Sequence, residues 1–304
     1  LHHYQTALVY YEQALVLQKA LREPARIAKN LSHQGVAYKN LSDYREALAY
    51  FEKALKIQQE IDDQSSIANN LTNLGTVYDS LGQPKKALES YQKALKIHRA
   101  LNDPSTIATT LTNLAITHDN LGQHLKALGY YQQALKIQQQ LGDIRGIGKT
   151  LSNVGIVYKN LGALDKALAH YQQALKIHTK TGDKYGEANT LTNLGVIYDK
   201  LGQYPKALTH YLQALAIQEK IGNKQRIANN LSNLGVLYYN LGQADKALGY
   251  FLNALTIRRE IGDKRGEGLE LSNLGAAYDS QGLSSKAVNT YMQALEIKRD
   301  IGDK

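Results

Sequence analysis

Residues 66–103 read "SIANNLTNLGTVYDSLGQPKKALESYQKALKIHRALND", and this stretch decides the fold. In its first half Leu71, Leu74, Gly75, Tyr78 and Leu81 fall three and four residues apart, which lines one face of an amphipathic helix. Gly82 follows as a helix terminator, because glycine enters the left-handed backbone region without strain. Pro84 suits the first turn of a second helix, where its missing N–H is harmless. That helix repeats the pattern with Ala87, Leu88, Tyr91, Ala94, Leu95 and Ile97. Asp103-Pro104 then reads as an N-cap and first helical residue, opening the next unit. The stretch is a helical hairpin, and no segment of the chain alternates as a strand would.

The hairpin recurs every forty residues. Full copies span residues 26–65, 66–105, 106–145, 146–185, 186–225, 226–265 and 266–304, preceded in 1–25 by a lone second helix of a truncated repeat. The whole of 1–304 therefore reads as a single array in which each unit packs on its neighbours. Small residues recur where paired helices approach (Gly75, Gly155, Gly195, Gly235, Gly275; Ala87, Ala94), with tyrosines beside them. That accounts for 21 Tyr in a chain with two Phe and no Trp, and it makes these rings packing residues.

Leu74-Gly75, Tyr78, Ala87, Tyr91 and Ala94, repeated in register, resemble the tetratricopeptide repeat. The family's early Trp position holds Leu71, Leu111, Leu151, Leu191, Leu231 and Leu271 here. The long period is similar to that of kinesin light chains, Pins-type G-protein regulators and bacterial signalling arrays. The resemblance implies an all-α, right-handed α-α superhelix, with first helices lining a concave groove and second helices mostly outside. It also implies a scaffold for protein partners, without naming one.

On the first helix, residues 69, 73, 76 and 80 point away from the packing face at about 100° per residue. Asn73, Asn113, Asn153, Asn193, Asn233 and Asn273 hold one of these positions in six of seven copies. Recent duplication does not explain this, because a solvent-facing position of the second helix has drifted through Arg45, Lys85, Leu125, Asp165, Pro205, Asp245 and Ser285. Two readings remain: each amide bridges to a neighbouring helix, or the asparagines form a ladder for the backbone of a bound segment. An amide offers donor and acceptor together and so pairs with one peptide group. With layers about 8–10 Å apart and about 3.3 Å per extended residue, each rung would meet every third residue. The peptide-binding members of the family imply such a ladder. Flanking positions would then carry specificity: Asn69, Lys149, Asn189 and Asn229 on one side, Asp119, Lys159, Asp199 and Tyr239 beyond an apolar stripe.

The formal charge of +9 raises nucleic-acid binding. Within the groove, however, Lys29, Lys39, Lys149, Lys159 and Lys200 offset Asp79, Asp119, Asp199, Glu270 and Asp279, and the surplus lies on second helices. With no continuous basic track, no nucleic-acid partner is expected. The stretch "GDIRGIGKT" at 142–150 ends like a phosphate-binding loop, but it follows a helix and occupies a repeat junction. The nine histidines show no paired ligand spacing, and the carboxylates form no obvious pair. No catalysis, cofactor or metal is expected. The chain has no cysteine and no apolar run near the roughly 18 residues of a membrane span, so a cytoplasmic location is expected. The sequence begins at Leu1 in mid-pattern and stops at Gly302-Asp303-Lys304, where another first helix would begin. Open ends of this kind predict a fragment of a longer chain and self-association through the uncovered faces.

Overall fold

The computed structural model describes residues 2–302. Leu1 at one open end, and Asp303 and Lys304 at the other, lie outside the described residues, as does the side chain of His2. The described chain holds fifteen helices and no strand. In order they are α1 (His2–Ala20), α2 (Pro24–Asn40), α3 (Tyr44–Glu60), α4 (Gln64–Ser80), α5 (Pro84–Ala100), α6 (Pro104–Asn120), α7 (His124–Leu141), α8 (Ile144–Asn160), α9 (Leu164–Thr181), α10 (Lys184–Lys200), α11 (Tyr204–Ile221), α12 (Lys224–Asn240), α13 (Ala244–Glu260), α14 (Lys264–Ser280) and α15 (Ser284–Asp300). The fold class is the all-α helical-hairpin solenoid expected from the period. Its contacts fall into two compact units, residues 1–153 and 154–304.

Local chemistry sets the helix boundaries. Asp103 accepts from the amides of Ser105 and Thr106 at 3.1 and 3.3 Å, and Pro104 opens α6 behind it. A capping side chain of this kind contributes about 1 kcal/mol. At the end of α4, Gly82 turns to φ +69°, so that its own amide and that of Gln83 reach the carbonyls of Asp79 and Tyr78 at 3.0 and 2.8 Å. Four turns make the same left-handed step without glycine, at Arg22, Ser42, Asp62 and Asn102, with φ of 54°, 63°, 55° and 52°.

Within each hairpin the small residue and the ring interlock. An added Cβ at Gly75 would stand 2.4 Å from the Tyr91 ring, and one at Gly195 would stand 2.5 Å from Tyr211. Ala87, Ala94, Ala207 and Ala214 are fully buried, which lets the second helices settle against their neighbours. Within each unit second helices pack on the first helix of the next repeat, as α5 does on α6 and α11 on α12. Successive first helices also touch: α2 meets α4 and α4 meets α6 in the first unit, and α10 meets α12 and α12 meets α14 in the second. Among the described residues no two second helices do so. First helices therefore form the inner row of each unit, and second helices the outer one.

Candidate functional site

The position predicted for the ladder sits on this inner row. Asn73, Asn113 and Asn153 in the first unit, and Asn193, Asn233 and Asn273 in the second, are all half-buried. Helical period alone places them away from the hairpin core, and the contact between successive first helices supplies the partial burial. Two amides have internal partners. Asn73 Oδ1 accepts from Lys39 Nζ of the preceding repeat at 3.1 Å, and Asn273 Nδ2 donates to Glu270 Oε2 at 3.3 Å. Among the described residues, the side chains of Asn113, Asn153, Asn193 and Asn233 have none. The bridging reading thus describes one rung, Asn73; Asn273 bonds within its own helix, and the other four amides keep both donor and acceptor available.

Of the flanking residues, Asn69 and Lys149 are exposed and Asn189 and Asn229 half-buried. The carbonyl oxygen of the Asn229 amide accepts from Arg258 Nη2 at 2.7 Å. Tyr239 is exposed, and Asp119, Lys159 and Asp199 are half-buried. The carboxylates at this register are tied to the layer behind them. Tyr91 Oη donates to Asp79 Oδ2 at 3.1 Å, and Thr117 Oγ1 of the next repeat donates to the same oxygen at 2.6 Å. Asp119 pairs with His124 Nδ1 at 2.6 Å. Burial raises the carboxyl pKa of Asp79 and of Asp199, and the hydrogen bonds to Asp79 and the nearby Lys200 beside Asp199 draw them back. The chain's two phenylalanines, Phe51 and Phe251, stand in the Tyr91 register in the two repeats where the Asp79 register holds Lys39 and Tyr239. The third repeat without a carboxylate at that register, the one with Lys159, keeps its hydroxyl at Tyr171.

A second polar column escaped the sequence reading. Three residues before the ladder asparagines lie Asn70, Thr110, Thr150, Thr190, Asn230 and Glu270, all buried, and four of them pair visibly across the repeat seam. They face buried polar residues of the preceding second helix: Asn70 bonds Gln58 at 3.0 Å, Thr150 bonds Gln138 at 3.0 Å, and Asn230 bonds Gln218 at 2.7 Å. In the last repeat the pair is ionic, with Arg258 Nη2 3.8 Å from Glu270 Oε1. Glu270, read from sequence as a groove charge, is instead fully buried. Turned three residues from Asn273, it points back toward the previous hairpin. Burial raises its pKa, while bonds from Ser232 and Asn273 and the Arg258 charge lower it. The signal that could have exposed this column is matched change between copies, Gln with Asn or Thr, His with Thr and Arg with Glu.

Comparison with known proteins places the repeat. The sequence profile of the tetratricopeptide repeat matches residues 26–100, 66–140, 146–220 and 226–300. The chain belongs to the tetratricopeptide repeat family. No curated protein sequence matches it. Among solved structures, BtubC (BKLC) from P. vanneervenii is 27% identical, covers 73% of this chain and 93% of its own, and superposes with a TM-score of 0.66. The apo quorum sensor NprR from B. thuringiensis is 16% identical over 97% of this chain and 87% of its own, with a TM-score of 0.73. The Rap conjugation gene regulator of plasmid pLS20, solved in complex with the Phr* peptide, is 18% identical over 91% of this tetratricopeptide chain and 75% of its own, at 0.68. The last two likenesses bear on the fold alone. Tetratricopeptide arrays present extended surfaces suited to protein interaction. Among the described residues no cluster of three or more His, Asp or Glu is placed to hold a metal, and no helix is long and apolar enough to cross a membrane.

Proposed function

We propose that the chain is a non-catalytic protein-interaction scaffold that holds an extended or partly helical peptide segment against its inner row through the asparagine ladder. The observation that carries this reading is the set of amides at Asn113, Asn153, Asn193 and Asn233, kept at one register, half-buried and without internal partners. Partial burial shields a hydrogen bond from water without closing it off, which suits recognition of peptide groups. That a Rap regulator of similar fold was solved with a peptide supports the same class of ligand.

The test uses peptides of twelve random residues displayed on phage and selected against the intact chain, with affinities measured by fluorescence anisotropy. Changing Asn153, Asn193 and Asn233 together to alanine removes three bonds of about 0.5–1.5 kcal/mol each. The expected loss is roughly ten- to a thousandfold, at an unchanged melting temperature. Equal affinities in the two proteins would sink the ladder.

A second reading, self-association through open repeat faces, draws on the outward apolar residues of α1 and α15, where Val16 and Leu17 are 68% and 66% exposed and Leu295 57%. Under that reading the triple variant sediments as the parent does and no selected peptide depends on the asparagines.

A further inference from the structure

The solvent face of the second helices changes character in the second unit. In α3, α5, α7 and α9 one outward position holds Glu52, Gln92, Gln132 and Gln172, and a lysine follows one turn later (Lys56, Lys96, Lys136, Lys176). In α11, α13 and α15 the first of these becomes Leu212, Leu252 and Met292, exposed by 43%, 45% and 65%. The lysine becomes Ala216, Thr256 and Glu296. Single exposed apolar residues are ordinary, but three in register on consecutive hairpins, with the flanking lysines removed, form a patch.

Internal packing does not account for the change. Where the position is polar it reaches the next repeat: Glu52 accepts from the Tyr78 hydroxyl at 3.5 Å, and Gln172 donates to Tyr198 at 3.5 Å. The leucines give up that bond and leave hydrocarbon in water. A border of positive charge runs beside them. Lys206, Lys246 and Lys286 lie six residues earlier on the same helices. Each ammonium is held over a tyrosine ring of its own hairpin, 5.4 Å from Tyr198, 5.1 Å from Tyr238 and 5.6 Å from Tyr278.

We infer that the outer face of α11, α13 and α15 docks an amphipathic helix of a partner protein, apolar at seven-residue spacing and acidic along one edge. Among the described residues these successive second helices do not touch and so stand further apart than packed helices at about 8–10 Å, a step that seven helical residues, advancing about 10.5 Å, can span. One apolar side chain of the occupant therefore meets one repeat. A helix also satisfies its own peptide groups, whereas an extended segment would lay them over hydrocarbon. The lysine border selects acidic residues on the occupant and makes association salt-dependent. This surface is separate from the inner row and does not depend on how that row is read.

The test is a phage library of 21-residue helices with leucine fixed at every seventh position and the rest randomised, selected against the intact chain. The counter-selection uses Leu212→Gln with Leu252→Gln, which restores the residue native to α5, α7 and α9 and is checked for an unchanged melting curve. Enriched helices carrying Asp or Glu on one flank, at least tenfold weaker on the double variant and weakened again by Lys206→Gln with Lys246→Gln, are the expected result. Equal enrichment on both proteins, or none on either, overturns the proposal. So does a wild-type dimer in sedimentation equilibrium that the double variant dissolves, which assigns the face to a second copy. Flotation of the wild type alone with phosphatidylcholine–phosphatidylserine vesicles overturns it too, in favour of a lipid surface.

Discussion

Arg258→Gln is expected to destabilise the chain by about 3 kcal/mol or more, because it leaves Glu270 fully buried without its countercharge. Arg258 also bonds Asp263 at 2.8 Å and Asn229 at 2.7 Å, so its loss loosens three contacts at once. The informative partner is the double variant Arg258→Gln, Glu270→Asn. It installs the pair that Gln218 and Asn230 make one repeat earlier at 2.7 Å, and it should return to within about 1 kcal/mol of the parent, since neutral replacements of buried ion pairs are often harmless. Urea midpoints with unchanged slopes would measure both. The single variant also carries a pH signature. Burial already holds the Glu270 pKa above its ordinary value, and Arg258 is one of the groups that lower it. Removing the guanidinium raises the folded-state pKa further above the unfolded one. The folded variant then binds the proton more tightly, so its deficit is largest above the folded pKa and shrinks as the pH falls toward the ordinary carboxylate range. A double variant as unstable as the single one, or a deficit that does not change with pH, would show that the column is not made of interchangeable pairs.

Gly195→Val sets two physical effects against each other. Intrinsic helix propensity favours almost any residue over glycine in a helix interior, by about 0.5–1 kcal/mol for alanine. Packing opposes it, because a Cβ here would stand 2.5 Å from a ring carbon of Tyr211, itself 2% exposed and walled in by α10 and α12. Overpacking of this kind costs typically 1–3 kcal/mol, and valine adds three carbons, so a net loss of about 3 kcal/mol is expected. Gly129→Ala is the control. That glycine also lies inside a helix, but nothing stands within 4 Å of its added Cβ, and a gain of about 0.5–1 kcal/mol is expected. Ala115 shows the limit of what the joint accepts: the one residue other than glycine at this register carries a single methyl, in the repeat whose ring is Tyr131. If both glycine variants were stabilised, the close approach of ring and helix would not be a constraint.

The fold could be read from sequence because its determinants are local. The three-and-four spacing of Leu71, Leu74 and Tyr78, the turn at Gly82 and the Asp103-Pro104 cap each act within one helix or its ends. The inner face followed from helical period, and the asparagines lie where the period puts them. Their half-burial and the reach of Lys39 to Asn73 did not follow, because both depend on the distance between successive first helices, which no single-helix pattern contains. Glu270 shows the same gap: three residues from Asn273, it looked like a neighbouring groove charge until the preceding hairpin was in place. The outward change from Gln172 to Leu212 and Leu252 was in plain view in the letters. It reads as ordinary drift until exposure shows that nothing within the unit covers the leucines.

The turns without glycine have a consequence for how the molecule breathes. A non-glycine residue in the left-handed region costs about 1–2 kcal/mol; Asn102 and Asp62 are the types that bear it best, Arg22 and Ser42 less so. All four fall in the first unit, and every left-handed turn described from residue 122 onward is a glycine. Local opening in a repeat array draws on the stability of each hairpin and its seams rather than on the whole. The tension stored at these corners makes the first hairpins the soft end. Their amides should trade protons for deuterons sooner than those of α10 to α13, and a partner seated on the first unit would close those hairpins as it binds, taking part of its affinity in the form of lost motion.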